Sequence, residues 1–470
     1  MNLRSHNQAS ASDAKMHAAM RHVRERGSVL VIVLLIAIGL ISMALYFANS
    51  MTMELRAADN RTSGLAAEQA IEGAARYVAA ILSANATNGV LPDRSEYQAN
   101  AVPIGNSTRP EENAHFWIIG RDPEGILSTE PYFALTDESA KLNLNADWLT
   151  TDGLATNLPR MTFEFAEALT DWRNTNASDS SLNYSQAGYM PKHAPFETVA
   201  ELRLVFGATM EILTGDDRNE NGVLDANERD LDSNGQLDGG VMEYFTIYSR
   251  EPNSHSDGTS LTNVNDRPSL QTLLEARLGT SRATTLQQNV ALTAGPGTDG
   301  NGTIVYTNLL QFYLQYQRAG MTSDEFGMIY PDITTTRDAF TTGRVNINTA
   351  PAAVLACIPG LDLSTAQQIV SYRESNSANS SSIGWVVDAL GANSQALRAL
   401  ARGDYITTKT YQFAADVAAV GPFGRGYRRV RFIFDLSDGT PKIVFRQDLS
   451  RLGWALGRQT RQTWVAANTR

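Results

Sequence analysis

Ser28 to Ala48 reads SVLVIVLLIAIGLISMALYFA, 21 residues without a charge, inside an uncharged stretch that lasts from Gly27 to Met53. At ~1.5 Å per residue a helix of that length covers the roughly 30 Å hydrocarbon thickness of a bilayer. The preceding segment is basic: Arg4, Lys15, Arg21, Arg24 and Arg26 stand against only Asp13 and Glu25. By the positive-inside rule the N-terminus stays cytoplasmic and the bulk of the chain is exported. A cleaved secretory signal has an apolar region of only ~7–15 residues, so the run reads as a retained spanning helix. A plain signal anchor is the rival that hydropathy alone allows.

The junction Arg24-Glu25-Arg26-Gly27-Ser28 sets a basic leader ending in Gly directly against the apolar run. It resembles the type IV prepilin class. That resemblance implies a leader peptidase cutting after Gly27, with Ser28 as mature residue one and the helix kept. The fifth mature residue is then Ile32, where most of the class carry a Glu paired with a neighbour's amine. An unpaired carboxylate in a spanning helix costs ~2.5–3.5 kcal/mol on insertion scales, so a subunit lacking it suits the end of a fibre. Translation from Met16 or Met20 instead of Met1 would shorten the leader, in the second case to MRHVRERG.

Beyond the bilayer the helical period continues. Leu65, Ile71, Ala75, Val78 and Leu82 recur near three- and four-residue spacing until Asn85 to Pro92 stops them. One helix over about 28–84 is expected, with two helices broken near 59–64 as the alternative. Strand-like runs follow at 114–120 and 131–137, and again at 405–420, 427–436 and 441–449, the last three joined by Gly-Pro-Phe-Gly and Ser-Asp-Gly turns. A long helix on an antiparallel meander is an α+β, pilin-like layout. The middle of the chain reads as a large, mostly helical insertion.

Within it an Asn-x-Asn element occurs three times, at Asn143-Leu144-Asn145, Asn263-Val264-Asn265 and Asn346-Ile347-Asn348. Asn side chains hold turns and cap helices, which is their expected role here. After the third copy, IPGLDLSTAQQIVSYRE (358–374) has a helix-hairpin-helix, SAM-like pattern with Gly360 in the turn. Arg344, Arg373 and Arg398 are offset there by Asp362, Glu374 and Asp388, so no basic face exists and nucleic acid is not an expected partner.

Asp137-Glu138-Ser139-Ala140-Lys141-Leu142-Asn143-Leu144-Asn145 resembles the D-E-x-x-K-x-N-[LV]-N block of minor pseudopilin K of type II secretion systems. So do Ala168-Leu169-Thr170-Asp171-Trp172, PKHAPFETVAELRLV (191–205) and VNINTAPAAVLACIPGL (345–361). The resemblance implies a place at the tip of a periplasmic pseudopilus. Minor pseudopilins I and J, other pseudopilins, the inner-membrane assembly platform, a prepilin peptidase and secreted substrates would be its partners. The expected divisions are a leader (1–27), the transmembrane part of the helix (28–48) and the first pilin-like part (49–146). A helical insertion (147–342), a hairpin part (343–400), the β-meander (401–457) and a tail (458–470) follow. A tip pilin of a type IV pilus, acting in adhesion, is the alternative.

Residues 217–228 fit the twelve-residue EF-hand pattern. Asp217, Asn219 and Asn221 offer side-chain oxygens, Val223 its carbonyl, Asp225 a water-mediated contact and Glu228 a bidentate carboxylate, while Gly222 makes the turn. Hard oxygen donors at this spacing suit Ca²⁺. A second loop offers Asp230, Asp232, Asn234 and Asp238 but has Val241 in its twelfth place. Structural calcium in the insertion is also what the family resemblance implies. The charge distribution agrees. The chain has 39 basic and 50 acidic residues, net −11, and without the 27-residue leader it would carry −14. Residues 216–243 hold nine acids against Arg218 and Arg229, half of that excess.

Motifs for catalysis are missing from the sequence. His115, His193 and His255 lack metal-site company, and Gly295 to Gly300 formally matches GxGxxG but precedes a strand-like NGTIVYTN rather than a helix. The single Cys357 lies on an apolar helix face and reads as a buried filler. A non-enzymatic assembly protein is expected, ahead of a membrane-anchored, calcium-dependent hydrolase.

Overall fold

The computed structural model describes residues 9–86, 89–121, 130–176, 184–185, 187–231, 233, 237–293, 305–376 and 381–464. Two compact units divide it, Met1–Ser63 and Gly64–Arg470. The N-terminal helix, Ala9–Asn85, is unbroken, and the break considered near 59–64 is absent. In the first unit every large apolar side chain from Val29 to Phe47 is exposed. The helix is long and apolar enough to cross a membrane, with a mean hydropathy of 2.9 over its 18 most apolar residues. Apolar exposure all round suits a lipid solvent rather than water.

In the second unit the same helix becomes amphipathic. Ala67, Ala70, Ile71, Ala74, Ala75, Val78 and Leu82 are buried. This stripe packs on an antiparallel sheet of β1 (Val102–Ile104), β2 (Ala114–Ile119), β3 (Thr136–Asp137), β4 (Gln412–Val420), β5 (Tyr427–Asp435) and β6 (Lys442–Asp448), in the order β1-β2-β4-β5-β6 with β3 also on β4. β4 is central and buried along its whole length; it pairs β5 from Gln412↔Asp435 to Val420↔Tyr427 and β2 from Asp416↔Ile119 to Val420↔His115. Val430, Phe432 and Phe434 of β5 join the core shared with the helix. Strand alternation puts Arg429 and Arg431 on the opposite face. Of the run expected at 131–137 only Thr136–Asp137 is strand, with Phe133 making an isolated bridge to Ile119.

Between β3 and β4 lies a long insertion in which, among the described residues, one small unit recurs three times. Leu142–Asn143 pairs in parallel with Phe245–Thr246, Thr262–Asn263 with Ile333–Thr334, and Val345–Asn346 with Ile406–Thr407. In each unit the first Asn of the Asn-x-Asn element accepts the backbone N–H of the second, at 3.0, 2.9 and 3.0 Å. The residue between them donates its N–H to the carbonyl of Thr246, Thr334 or Thr407, at 2.8, 2.9 and 2.9 Å. In the first two units the second Asn amide also clasps a distant backbone, at Phe196 and Tyr306. In the third, Asn348 instead accepts from Trp385 Nε1 at 3.1 Å. The motif is a turn-holder, as its chemistry suggests.

Helices fill each unit. The first copy is followed by the helices Thr151–Asn157 and Phe163–Arg173, so all three elements lead into helices. Their apolar faces merge into one continuous core. The meander was expected to begin at 401, yet Ile406–Thr407 belongs to the third unit and the sheet strand starts at Gln412. A two-residue strand has no period of its own to reveal its partner.

Candidate metal-binding loop and its seat on the sheet

The segment that leads into the site is short. Helix Met210–Thr214 ends at Gly215, whose φ of +58° and close approach to Asp238 and Gly240 backbone leave no room for a side chain. Asp217 then opens the loop. Its carboxylate accepts the N–H groups of Asn221 (2.9 Å) and Gly222 (2.6 Å). Gly222 has φ +80°, the left-handed conformation a sharp turn needs. At the other end Glu228 accepts from the N–H groups of Arg218 (2.8 Å), Asn219 (3.1 Å) and Asp225 (3.0 Å). First and last acids therefore clamp the loop into a closed ring.

The side chains turn inward. Asp217, Asn219, Asn221 and Val223 are buried, and Asp225 Oδ2 accepts from the amides of Asn219 (2.7 Å) and Asn221 (3.0 Å). Burial pushes the Asp217 and Glu228 carboxyls above their usual range; for Asp217 the Arg121 guanidinium partly offsets this. Among the described residues no three carboxylate, imidazole or thiol side chains lie close enough to hold a metal by themselves. A cation here would need the Asn amide oxygens and the Val223 carbonyl as well. One observation fits that donor set: Asn219 Oδ1 is buried without a hydrogen-bond donor, in a side chain only 6% exposed. A hard cation is a partner for such an oxygen.

The second loop is fastened differently. Arg160 donates to Asp238 at 3.2 Å and to Asp216 at 3.2 Å, and Asp216 also accepts the N–H of Leu231 at 3.0 Å. Asp230 is half-buried. Asp232 and Asn234 lie outside the described residues, as does the glycine-rich run from Gly295 to Gly300.

The first loop sits against the sheet face opposite the N-terminal helix. Arg429 is fully buried; its Nε and Nη2 bind both oxygens of Asp416 at 2.8 Å, and its remaining N–H groups reach the carbonyls of Asn219 and, at 2.6 Å, Glu220. Arg431 bridges Glu220 and Asp416, both at 3.0 Å. Arg121 pairs with Glu243 at 2.5 Å and donates to the Glu220 carbonyl at 3.2 Å. The amides of Asn219 and Asn221 reach the carbonyls of Trp454 and Ala455, both at 3.3 Å. None of these sheet-side partners has a loop-like spacing. Their only signal is that Arg429 and Arg431, two apart on a buried strand, must face something polar.

A second junction explains the Asp137-Glu138 block. The Asp137 carboxylate accepts from Ser139 N–H, Asn346 Nδ2, Thr349 and Thr410, joining sheet and third unit. Glu138 accepts from Thr246 and pairs with Lys141, tying in the first unit. Gly360, at φ +84°, makes the hairpin turn between Ala352–Ala356 and Leu363–Ser375. Arg373 of that hairpin is turned inward, to the carbonyls of Ile347 and Ala350.

Residues 345–396, most of the third unit, match the family described as type II secretion system (T2SS), protein K. The chain is similar to type II secretion protein K. The match falls on the third Asn-x-Asn element and the hairpin after it. Among solved structures the GspK-GspI-GspJ complex of the enterotoxigenic Escherichia coli type 2 secretion system is similar at 9% identity. That likeness covers 81% of this chain and 96% of that one, with a TM-score of 0.36. No curated protein matches the chain. Gly27 and Ser28, the expected cleavage pair, fall within the N-terminal helix.

Proposed function

We propose that this chain is a K-type minor pseudopilin of a type II secretion system. One helix would hold it in the bacterial inner membrane, N-terminus cytoplasmic, with the body in the periplasm. A prepilin peptidase would cut between Gly27 and Ser28. The mature chain would join pseudopilins I and J at the tip of the pseudopilus and initiate assembly on the inner-membrane platform. There it would support export of folded proteins across the outer membrane. One observation carries the reading: the protein K match lies in an insertion between β3 and β4 of a sheet packed on the polar-side half of a membrane-length N-terminal helix. Ile32, where a paired Glu is usual, supports an end position because no upper neighbour's amine is then required.

Calcium would be bound by Asp217, Asn219, Asn221, Val223, Asp225 and Glu228, with a second ion at Asp230, Asp232, Asn234 and Asp238. It would supply charge neutralisation and a cross-link rather than catalysis. Deleting the gene should stop release of the system's substrates, and the full chain should co-purify with pseudopilins I and J from detergent extracts. Undiminished export together with loss of surface pili would instead support the adhesive pilus reading.

A further inference from the structure

The loop at 217–228 is held from outside the insertion as well as from within it. Its third and fourth residues are gripped from the sheet: the carbonyls of Asn219 and Glu220 take the N–H groups of the fully buried Arg429, and Glu220 also takes Arg121. Glu220 has φ +56°, left-handed for a residue with a side chain, so this stretch needs outside support to hold its shape. The arginines supply that support, and Asp416 fixes Arg429 through two parallel hydrogen bonds at 2.8 Å. On the same side the Asn219 and Asn221 amides reach Trp454 and Ala455, beyond the last sheet strand. Asn219 itself carries the buried oxygen without a donor.

We propose that the loop is a cation-set fastener between insertion and sheet, in which Arg429 is the positioning residue that holds Asn219 and Glu220 in the liganding conformation. Calcium occupancy then stiffens the sheet face and the segment after it, as well as the loop. The inference rests on the calcium reading given above, and deepens it by naming what the ion holds together.

Two measurements on the full chain in detergent test it. Calorimetric titration with CaCl₂ alone should give an affinity that falls about tenfold in Arg429→Met and is partly restored in Arg429→Lys, the size expected for an outer support of a metal ligand. Amide hydrogen exchange of the wild type, with and without calcium, should show protection in 216–228 and also in 412–420, 427–431 and 452–456. Wild-type affinity in Arg429→Met, or protection confined to 216–243, would overturn the fastener while leaving the calcium site standing. A wild-type chain that takes up no calcium would overturn both. Should Arg429→Met fail to fold, the wild-type exchange pattern decides alone.

Discussion

Asp137→Ala should be among the most destabilising single changes in the body of the chain. The carboxylate is 2% exposed and accepts four hydrogen bonds, from Ser139 N–H (2.7 Å), Asn346 Nδ2 (2.8 Å), Thr349 Oγ1 (2.6 Å) and Thr410 Oγ1. Removing it takes the acceptor from buried Asn346, half-buried Thr349 and Thr410, which keeps only the Gln412 carbonyl at 3.3 Å; at about 1–3 kcal/mol each, and with some relaxation, the loss should total about 3–5 kcal/mol. That is a large share of the ~5–15 kcal/mol typical of a domain. Burial pushes the Asp137 carboxyl up despite its donors, so ionisation is disfavoured by the fold. The neutral, isosteric change Asp137→Asn should therefore cost less than Asp137→Ala. Urea unfolding of the detergent-solubilised variants, followed by tryptophan fluorescence, measures both. A loss under about 1 kcal/mol for Asp137→Ala, or a larger loss for Asp137→Asn, would refute the view of Asp137 as the joint between sheet and third unit.

Gly360→Ala should lower stability by about 2–3 kcal/mol, because φ is +84° and a Cβ would lie 2.3 Å from Ala399 Cβ; thermal melts read this directly. Burial alone would raise the Asp416 carboxyl, but Arg429 and Arg431 overcome this and hold it at about 2, below the ordinary 3.8. The resulting stabilisation, about 2 kcal/mol, is complete above pH ~4 and is lost as pH falls through ~2. Asp416→Asn should therefore flatten the acid limb of stability between pH 4 and 2. Chelation with EGTA should lower the melting temperature, corresponding to about 2.7 kcal/mol if calcium had been present at a hundred times its dissociation constant. An unchanged melt would count against the metal.

Strong periods were readable from the sequence. The helix stripe of Ile71, Ala75, Val78 and Leu82 and the twelve-residue spacing from Asp217 to Glu228 each follow a fixed pattern, but Leu65, read into the stripe, is exposed, and β4 is buried along its whole length instead of alternating. The three Asn-x-Asn elements were visible too, but not what they pair with. Their partners Phe245–Thr246, Ile333–Thr334 and Ile406–Thr407 are two residues long and far away in sequence. The seat of the loop was hidden for the same reason. Arg121 follows β2 while Asp416 and Arg429 lie on the neighbouring β4 and β5, and only the sheet register brings Asp416 opposite Arg431. Arg160, which takes up Asp216 and Asp238, lies in a loop with no spacing signal at all.

Processing of the N-terminal helix separates a pseudopilin from a plain membrane anchor. Co-expression with a prepilin peptidase, followed by N-terminal sequencing of the membrane-bound product, tests it most directly. The expected product is a mature chain that begins at Ser28 and keeps the apolar helix. A chain left uncut, or one beginning anywhere else, would contradict it.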